Sequence, residues 1–461
     1  MKHAPSRAGS VSGSPNSDSL NTKDLRRVLA SSTIGSIIEY YDFILYATAA
    51  SLIFDKVFFA NLPPAVALFA SFGTLAVGYF ARPLGGVVFG HFGDRVSRKS
   101  MLVVSMLMMG IATMAIGLLP TQKAIGIAAP IILVLLRIVQ GISVGGEWGG
   151  ATIMALEHAP GKKRGFAAAF ANSGGPAGGL AATLVVSGVS ALTGPAFLDW
   201  GWRVPFLLSA LLVVVGLLIR LKVAESPVFQ RLDADAAQMR RATSLPIVSV
   251  FRHQWKPLLL TLVASLGFYS YQGFLTSWGV SVAAGHGVPR EGILNTTGLT
   301  AVLTIVVCFL AARWSDRVGR RAVLSVGCVV GALWVYPALV LINNGTVWGF
   351  VLAVIVGNGI VQGLLAGPIG AYISEQFPVR VRYTGSSLAY QCASTIGAGL
   401  PPLIATVLVA STRSFALVAL VWILVLVAAL VAVLVSREGT KLDADANVIL
   451  EGAEDDPALA G

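Results

Sequence analysis

Long apolar runs recur along the whole chain, separated by short polar segments. A helix needs about 20 apolar residues to cross the hydrocarbon core of a bilayer, and these runs reach that length. They lack the alternation of apolar and polar positions that marks the strands of a membrane barrel. The pattern therefore predicts an all-α integral membrane protein with about twelve transmembrane helices. The runs lie at 28–54, 65–90, 100–119, 126–157, 164–190, 203–221, 256–283, 291–312, 322–345, 347–375, 383–410 and 414–436.

The composition supports this interpretation. Hydrophobic residues make up 55% of the 461 residues and charged residues 12%, whereas a soluble domain carries about 25% charged residues. The three cysteines, Cys308, Cys328 and Cys392, fall inside predicted spans, and their spacing offers neither a disulfide framework nor a metal site. We expect them to be packing residues, and we expect no metal ion and no bound cofactor.

Basic residues are placed unevenly. The formal net charge is +11, and most of the 33 Lys and Arg lie in the two tails and in the loops after even-numbered spans. Because basic loops stay on the cytoplasmic side, this placement predicts that both termini are cytoplasmic. The same placement accounts for the positive net charge through membrane topology, so binding of nucleic acid is not needed to explain that charge. Residues 1–27 are polar and predict a disordered tail without a cleaved signal sequence.

The two halves of the chain contain an internal repeat. The loop "GHFGDRVSRK" has a counterpart in "ARWSDRVGRR", and Asp94 and Asp316 are separated by the same interval as Gln140 and Gln362. Two six-helix halves related by duplication, with a site between them near the midplane, are typical of one large class of transporters. The predicted organisation is a tail 1–27, a first bundle 28–221, a cytoplasmic loop 222–255, a second bundle 256–436 and a tail 437–461.

Away from the ends of the predicted spans, charged residues are confined to the first half: Glu39, Asp42, Arg82, Arg137 and Glu147. A charge at bilayer depth costs about 3 kcal/mol even on the lenient insertion scale, so such residues are functional candidates. We infer a division of labour in which the first half handles protons and ion pairing. The second half would supply neutral polar and aromatic contacts.

Asp42 and Arg137 are both expected near mid-membrane, at about 1.5 Å per helical residue from opposite ends of their spans. An Asp42–Arg137 pair that breaks when the carboxylate is protonated would be a proton switch. The alternative is a permanent structural salt bridge. Glu39 lies one turn from Asp42 on the same helical face, and either shares its proton or is a helper without a distinct role.

Span four carries a polar stripe of Gln140, Ser143 and Glu147, with Arg137 at its edge. Glu147 is a second protonation candidate. Its alternative is a cytoplasmic gate salt bridge, with Arg82 as the suggested partner. Arg82 precedes a helix-breaking proline, and we favour a structural or gating role for it over substrate contact.

The loop motif "GxxxDRxxRK" resembles the signature of the major facilitator superfamily in both halves. Ser97 stands where the family usually has Gly in the first copy, and Ala312 replaces the first Gly of the second copy. The stretches "IEYYDF", "ARPLGGVVFGHFGDRVSRK", "RIVQGISVGGEWGGA", "GWRVPFLLS" and "VAESPVFQRL" resemble the metabolite:proton symporter branch. That branch takes up organic acids such as shikimate, α-ketoglutarate and citrate, and osmolytes such as proline and betaine.

The resemblance implies roles for several groups of residues. In related facilitators a span-one acid and a span-four arginine couple protons to transport, which implies these roles for Asp42 and Arg137. The loop motif implies a lock between spans, although its charges could be topology determinants alone. The gating candidates are Arg82, Gly90, Asp94, Arg95, Arg98, Lys99, Asp316, Arg317, Gly319, Arg320 and Arg321.

Polar and aromatic residues in the second half are candidates for substrate contact because a buried amide or phenol needs a hydrogen-bond partner. "SLAYQCASTIGAGLPPLIA" in span eleven resembles shikimate-type members in particular. Arg137 would hold a substrate carboxylate once Asp42 is protonated, since arginine binds carboxylates bidentately. The substrate-binding candidates are Arg137, Gln140, Tyr269, Gln272, Gln362, Tyr390 and Gln391. The same spans of the second half also offer Tyr271, Trp278 and Asn358.

The sequence therefore predicts a secondary active transporter for proton-coupled uptake of an organic acid such as shikimate. A symporter of zwitterionic osmolytes is the alternative, and a uniporter or exporter is a more remote one. No nucleophile–base pair or phosphate loop is recognisable, so we do not expect an enzyme. A membrane receptor built on the same scaffold is an alternative class, which saturable accumulation of solute would exclude. We expect a functional monomer in the bacterial inner membrane, with protons as the coupling ion, a small-molecule substrate and no nucleic-acid partner.

Overall fold

The computed structural model describes residues 22–223, 225–226 and 246–438. Within these ranges the chain forms helices and no strand, which confirms the prediction of an all-α protein. Parts of both predicted tails and of the predicted loop, namely 1–21, 224, 227–245 and 439–461, lie outside the described residues. Twelve long helices are numbered here α1 (Thr22–Leu52), α2 (Pro64–Arg95), α3 (Arg98–Leu118), α4 (Ala128–Glu157), α5 (Arg164–Thr193), α6 (Arg203–Leu221), α7 (Trp255–Gly285), α8 (Arg290–Val318), α9 (Arg320–Asn343), α10 (Val347–Glu375), α11 (382–412) and α12 (Ala416–Val435).

Eleven helices in the described part of the chain are long and apolar enough to cross a membrane. The exception is α1, which has 31 residues but contains Glu39, Asp42 and several hydroxyl side chains that lower its hydropathy. It nevertheless packs against α5, α4 and α6, so it belongs to the same bundle as its neighbours. Because the helices alternate in direction, α1 begins and α12 ends on one face, which we call the terminal side.

Three helices of the second half are interrupted by π-helical segments. These are Tyr271–Gly279 in α7, Ile355–Gln362 in α10 and Thr395–Gly399 in α11. A π segment widens the helix, frees backbone groups and is frequent at functional sites. Gln272 and Gln362, two predicted substrate contacts, lie within such segments.

Each half has its own apolar core. In the first half Phe54, Phe58 and Trp202 meet edge to face with ring centroids 5.2 to 6.0 Å apart. In the second half Trp422 packs on Tyr271 at 4.8 Å. Each of these aromatic contacts joins residues of the same half.

Helices α2 and α4 touch backbone to backbone because glycines lie at their crossing. A Cβ on Gly85 would lie 1.9 Å from the carbonyl oxygen of Ile142, and one on Gly141 would lie 2.3 Å from that of Gly78. Small residues at a helix interface permit such close approach in membranes. The crossing brings Arg82 on α2 next to the polar stripe of α4.

The two halves meet along α2 with α11 and along α5 with α8 and α10. A short helix, Pro246–His253, precedes α7 and packs against α2 and α11. It lies within the predicted inter-half loop, which therefore contains ordered structure at its end.

Candidate functional site

A small cavity lies among α1, α2, α3 and α4. It brings together the charged residues of three separate predicted spans. We call it the acid–arginine cavity. Its lining consists of Glu39, Asp42, Phe43, Gly78, Arg82, Met109, Arg137, Gln140, Gly141 and Val144.

Asp42 and Arg137 share this cavity but are not in direct contact within the described structure. Arg137 Nη1 donates to Gln140 Oε1 at 3.1 Å, and Gln140 Nε2 donates to Thr113 Oγ1 at 2.7 Å. Thr113 Oγ1 lies 2.7 Å from Asp42 Oδ2. The expected direct pair is therefore corrected to a four-residue hydrogen-bonded relay. Gln140 and Thr113 connect the two charged side chains.

The acids and the arginine of the cavity keep unsatisfied polar atoms. Glu39 Oε2, Asp42 Oδ1 and Arg137 Nε are buried and have no hydrogen-bond partner among the described residues. The three residues are only 4%, 2% and 4% exposed. Burying polar atoms without partners costs free energy, so the cavity has capacity to bind a further group.

Aromatic rings hold the two arginines of the cavity. The guanidinium of Arg137 lies 4.0 Å from the ring centroid of Tyr46, and that of Arg82 lies 4.5 Å from Tyr79. Both also lie over Phe43, at 5.4 Å and 4.7 Å. Cation–π contacts stabilise a desolvated guanidinium without neutralising its charge. The cavity therefore keeps its positive charge available.

Arg82 also reaches the second half, since its Nη1 donates to Ser394 Oγ on α11 at 3.1 Å. The suggested Arg82–Glu147 gate pair is wrong in this structure. Glu147 instead forms a buried ion pair with Arg220 at the end of α6 and accepts from Ser105 Oγ at 3.1 Å. Arg220 lies in the last turn of its span, where a basic residue usually signals topology, and it is not among the charged residues selected from the sequence.

A second set of aromatic residues lies where α4 faces α7 and α11. Tyr390 stacks on Trp148 with ring centroids 3.3 Å apart and an angle of 4° between the planes, and Tyr269 lies 5.0 Å from Tyr390. Gln391 Nε2 donates to the backbone oxygen of Val144 at 3.2 Å. Three of the predicted substrate residues thus face the first half. Trp148 was not singled out from sequence because one aromatic in a span usually signals packing.

Other substrate candidates lie elsewhere. Tyr271 donates to the Gly331 oxygen at 2.7 Å inside the core of the second half, away from the boundary. Asn358 donates to Thr276 Oγ1 at 2.7 Å. Gln272 and Gln362 are half-buried and outside the lining of the acid–arginine cavity.

The two loop-motif aspartates cap helices of the opposite half. Asp94 accepts the backbone N–H groups of Tyr383 at 3.1 Å and of Thr384 at 2.8 Å, in the first turn of α11. Asp316 accepts those of Gly165 and Phe166 in the first turn of α5, both at 2.9 Å. Neither helix has a side-chain cap from its own N-cap residue, so these carboxylates satisfy its free N–H groups.

Buried ion pairs surround both caps on the terminal side. Glu157 on α4 pairs with Arg98 of its own half and with Arg382 of the other, the latter at 3.4 Å. Arg320 pairs with Asp316 at 2.6 Å and with Glu375 at 3.3 Å. We call these pairs and the two aspartate caps the terminal-side lock.

The remaining motif residues divide into three groups. A Cβ on Gly90 would lie 2.6 Å from Thr384 Cα, so this glycine lets α2 approach α11, and Gly319 has φ +99° at the end of α8. Lys99 Nζ and Arg321 Nε donate to the oxygens of Leu221 and Val433, at 2.9 Å and 3.0 Å, in their own halves. Arg95 and Arg317 are exposed and outside the lock, as expected of topology determinants.

Comparison with known proteins agrees with this architecture. The Major Facilitator Superfamily model matches residues 33–334 and 287–450. The chain belongs to this superfamily. It is 38% identical over 390 residues to the inner membrane metabolite transport protein YhjE of Escherichia coli K12, covering 82% of this chain and 87% of the relative.

Two further relatives from Escherichia coli K12 agree with the symporter branch indicated by the motifs. The shikimate transporter is 36% identical, covering 87% of this chain and 91% of that protein. The proline/betaine transporter is 30% identical, covering 93% and 85%. The proton:xylose symporter XylE, solved with 6-bromo-6-deoxy-D-glucose, superposes with a TM-score of 0.75 at 16% identity, covering 92% of this chain and 99% of XylE.

These matches confirm the predicted family and its fold of two six-helix halves. The chain is a multi-pass membrane transporter for a small molecule, and it is not an enzyme.

Proposed function

We propose that this protein is a proton symporter that takes up an organic acid by alternating access. The observation that carries the proposal is the acid–arginine cavity, where buried acids and arginines of unsatisfied hydrogen-bonding capacity share one space without pairing. A structural salt bridge would pair them directly, as the terminal-side lock does. Groups held apart in one cavity can exchange partners when a proton and a substrate arrive.

In this proposal Asp42 binds the coupling proton and Glu39 assists it one turn away. Loss of the negative charge on Asp42 leaves Arg137 as an uncompensated cation, which a substrate carboxylate then neutralises. Gln140 lies between them as a polar contact. Glu147 already has Arg220 as a partner, so a gate or support role suits it better than proton coupling.

The two halves would contribute differently to the substrate. Tyr269, Tyr390 and Gln391 of the second half lie beside Trp148 and the backbone of α4, where they can orient hydroxyl groups of a bound acid. Gln272 and Gln362 are proposed contacts of the same half, beside backbone groups freed by π segments. The shikimate transporter among the relatives supports an acid of this kind.

The alternative substrate is a zwitterionic osmolyte, which the proline/betaine relative supports. Such a molecule needs an open aromatic face for its cationic nitrogen. The rings of Phe43, Tyr46 and Tyr79 already hold the arginine guanidiniums. Because these ring faces are already occupied, a substrate with a carboxylate and no cationic group is favoured.

We further propose that the terminal-side lock closes the cytoplasmic entrance. The basic loops support cytoplasmic termini in a bacterial cell, and the protein would act as a monomer in the inner membrane. Breaking the lock would open the cavity inward, with Arg82 and its Ser394 contact as part of the gate. Protons are the only coupling ion in this scheme.

The test is uptake into proteoliposomes with an inward proton gradient, using shikimate, small mono- and dicarboxylates, proline and betaine. Acid-driven accumulation of one acid, abolished by a protonophore, supports the proposal. Accumulation of proline or betaine alone would replace the substrate class but retain symport. If nothing accumulates while a preloaded compound escapes faster than from protein-free vesicles, the protein is a uniporter or an exporter.

A further inference from the structure

Thr113 on α3 connects the two principal groups of the acid–arginine cavity. Its side chain is fully buried. Its Oγ1 lies 2.7 Å from Asp42 Oδ2, 2.7 Å from Gln140 Nε2 and 2.9 Å from the carbonyl oxygen of Met109. A hydroxyl group has one hydrogen and two lone pairs, so these three contacts restrict where its hydrogen can lie.

The chemistry of the partners sets the direction of each hydrogen bond. Arg137 can only donate, so Gln140 must present Oε1 to it and its NH₂ group to Thr113. Thr113 therefore accepts from Gln140. Its single hydrogen goes either to Asp42 or to the carbonyl of Met109, and both acceptors are within hydrogen-bond distance.

We propose that Thr113 converts the protonation state of Asp42 into a change in how firmly Arg137 is held, a role that rests on the proposed function. When Asp42 is ionised, Thr113 donates to it. The donors then run in one direction from the cation of Arg137 to the anion of Asp42. Hydrogen bonds aligned in this way polarise and strengthen one another.

When Asp42 is protonated, its own hydroxyl donates to Thr113 and the Thr113 hydrogen turns to Met109. The relay now reverses direction at Thr113, and Arg137 is no longer linked to a negative charge. Every hydrogen bond of Thr113 has a partner in both states, and only a hydroxyl rotation separates them. The released Arg137 can then bind a carboxylate. Thr113 is thus a positioning residue that acts through Asp42 and Gln140.

Other charged and titratable groups share this environment without contacting Thr113. They provide a background field that is the same with or without the Thr113 hydroxyl. These groups are Glu39 and Tyr46 on α1, Tyr79 and Arg82 on α2, and, nearer the terminal side, Glu147 on α4 with Arg220 on α6.

The test compares Thr113→Val, which keeps the shape and removes the hydroxyl, with Thr113→Ser, which keeps the hydroxyl. Thr300→Val is the matched control, because Thr300 is buried on α8 and donates only to the Thr296 oxygen four residues back, at 2.6 Å. Two quantities are measured in proteoliposomes with the panel acid that the unmodified protein accumulates, shikimate first. These are the accumulation ratio under a proton gradient and the rate of exchange at equal pH.

We expect Thr113→Val to lower accumulation at least tenfold while the maximal exchange rate over the pH range changes less than threefold. Without its donor the protonated form of Asp42 is favoured, so half-maximal exchange should move to higher pH by about one unit. Thr113→Ser and Thr300→Val should match the unmodified protein within twofold. The role is refuted if Thr113→Val keeps both accumulation and pH profile, or if Thr113→Ser fails equally.

A readout without substrate separates this inference from the proposed function. The melting temperature of the purified protein is measured between pH 5 and 9 for the unmodified protein, Thr113→Val and Asp42→Asn. If Thr113 acts on the Asp42 proton, the Asp42-dependent part of the pH curve moves to higher pH in Thr113→Val. An unmoved curve overturns the inference, even if no panel compound is transported and the proposed function fails.

Discussion

Asp94 and Asp316 hold equivalent positions in the two halves, and each caps a helix of the other half. The Asp94 carboxylate accepts two N–H groups of α11, and the Asp316 carboxylate accepts two of α5. A carboxylate at a helix N-terminus also interacts favourably with the helix dipole. The motif that is repeated in the sequence therefore supplies two reciprocal caps, one from each half to the other. These caps hold the halves together on the terminal side.

Removing either cap should weaken the closed terminal side. Each cap is worth about 1 kcal/mol, so Asp94→Ala or Asp316→Ala should reduce the ratio of closed to open molecules about fivefold. Spin labels at the exposed residues Arg95 and Arg317, one in each half, report the separation. A distance distribution unchanged from that of an Asp199→Ala control would contradict this role.

Asp42→Asn should abolish accumulation against a gradient and preserve exchange of substrate across the membrane. Asparagine has the same shape and can still accept the Thr113 hydroxyl, so the relay geometry survives while the proton site is lost. Accumulation and counterflow are measured on the same proteoliposomes, with Asp199→Asn as control. Uphill uptake by the Asp42 variant would show that the coupling proton binds elsewhere.

Arg137→Lys keeps the positive charge but loses the planar fork and the stacking on Tyr46. We expect the KM for an acidic substrate to rise about tenfold, since a bidentate contact is replaced by a single one. Initial rates over a concentration series give KM, and Arg413→Lys, far from the cavity, is the control. An unchanged KM would mean that Arg137 does not touch the carboxylate.

Substitutions of Glu147 and Arg220, which form a buried ion pair, should have strongly coupled effects on stability. Breaking a buried pair by removing one partner costs about 3–5 kcal/mol, because the other charge is left unpaired. Glu147→Gln and Arg220→Met alone should each lower the melting temperature of the purified protein sharply. The double variant should be more stable than the sum of the single effects predicts. Additive losses would instead mean that each residue is stabilised by other partners.

Gly85→Ala should prevent the close contact of α2 with α4. Its Cβ would meet the backbone oxygen of Ile142, which cannot rotate away as a side chain can. We expect loss of folded, monodisperse protein in detergent, read by size-exclusion chromatography. Gly73→Ala on the same helix has open space around its Cβ and serves as control. Equal yields of both variants would disprove the backbone contact.

The agreement between sequence and structure differs from one feature to another. Span number, the internal repeat and the presence of charge in the first half follow from local patterns, because hydropathy and lipid impose them residue by residue. Glu39, Asp42, Arg82 and Arg137 were chosen for their charge at membrane depth, and the structure places all four in one cavity. The spacing of these residues in the sequence could not predict which of them pair, since pairing depends on how the four helices are rotated about their axes.

Two of the residues missed from sequence, Thr113 and Trp148, were missed for the same physical reason. Thr113 and Trp148 are neutral and ordinary in a membrane helix, so nothing in a single sequence separates them from packing residues. Only their neighbours, Asp42 and Gln140 for the one and Tyr390 for the other, mark them as parts of a site. Arg220 was hidden for a different reason, because a basic residue at a span end is the usual topology signal.

The sequence by itself determined that this chain crosses a membrane many times, consists of two related halves, belongs to a family of transporters and buries charge in its first half. These properties are encoded locally, by hydropathy, loop charge and motif. The tertiary structure decided which groups meet: Asp42 reaches Arg137 through Thr113 and Gln140, Glu147 pairs with Arg220, and each motif aspartate caps the opposite half. Such contacts join residues far apart in the chain, and helix rotation and glycine-mediated packing select them.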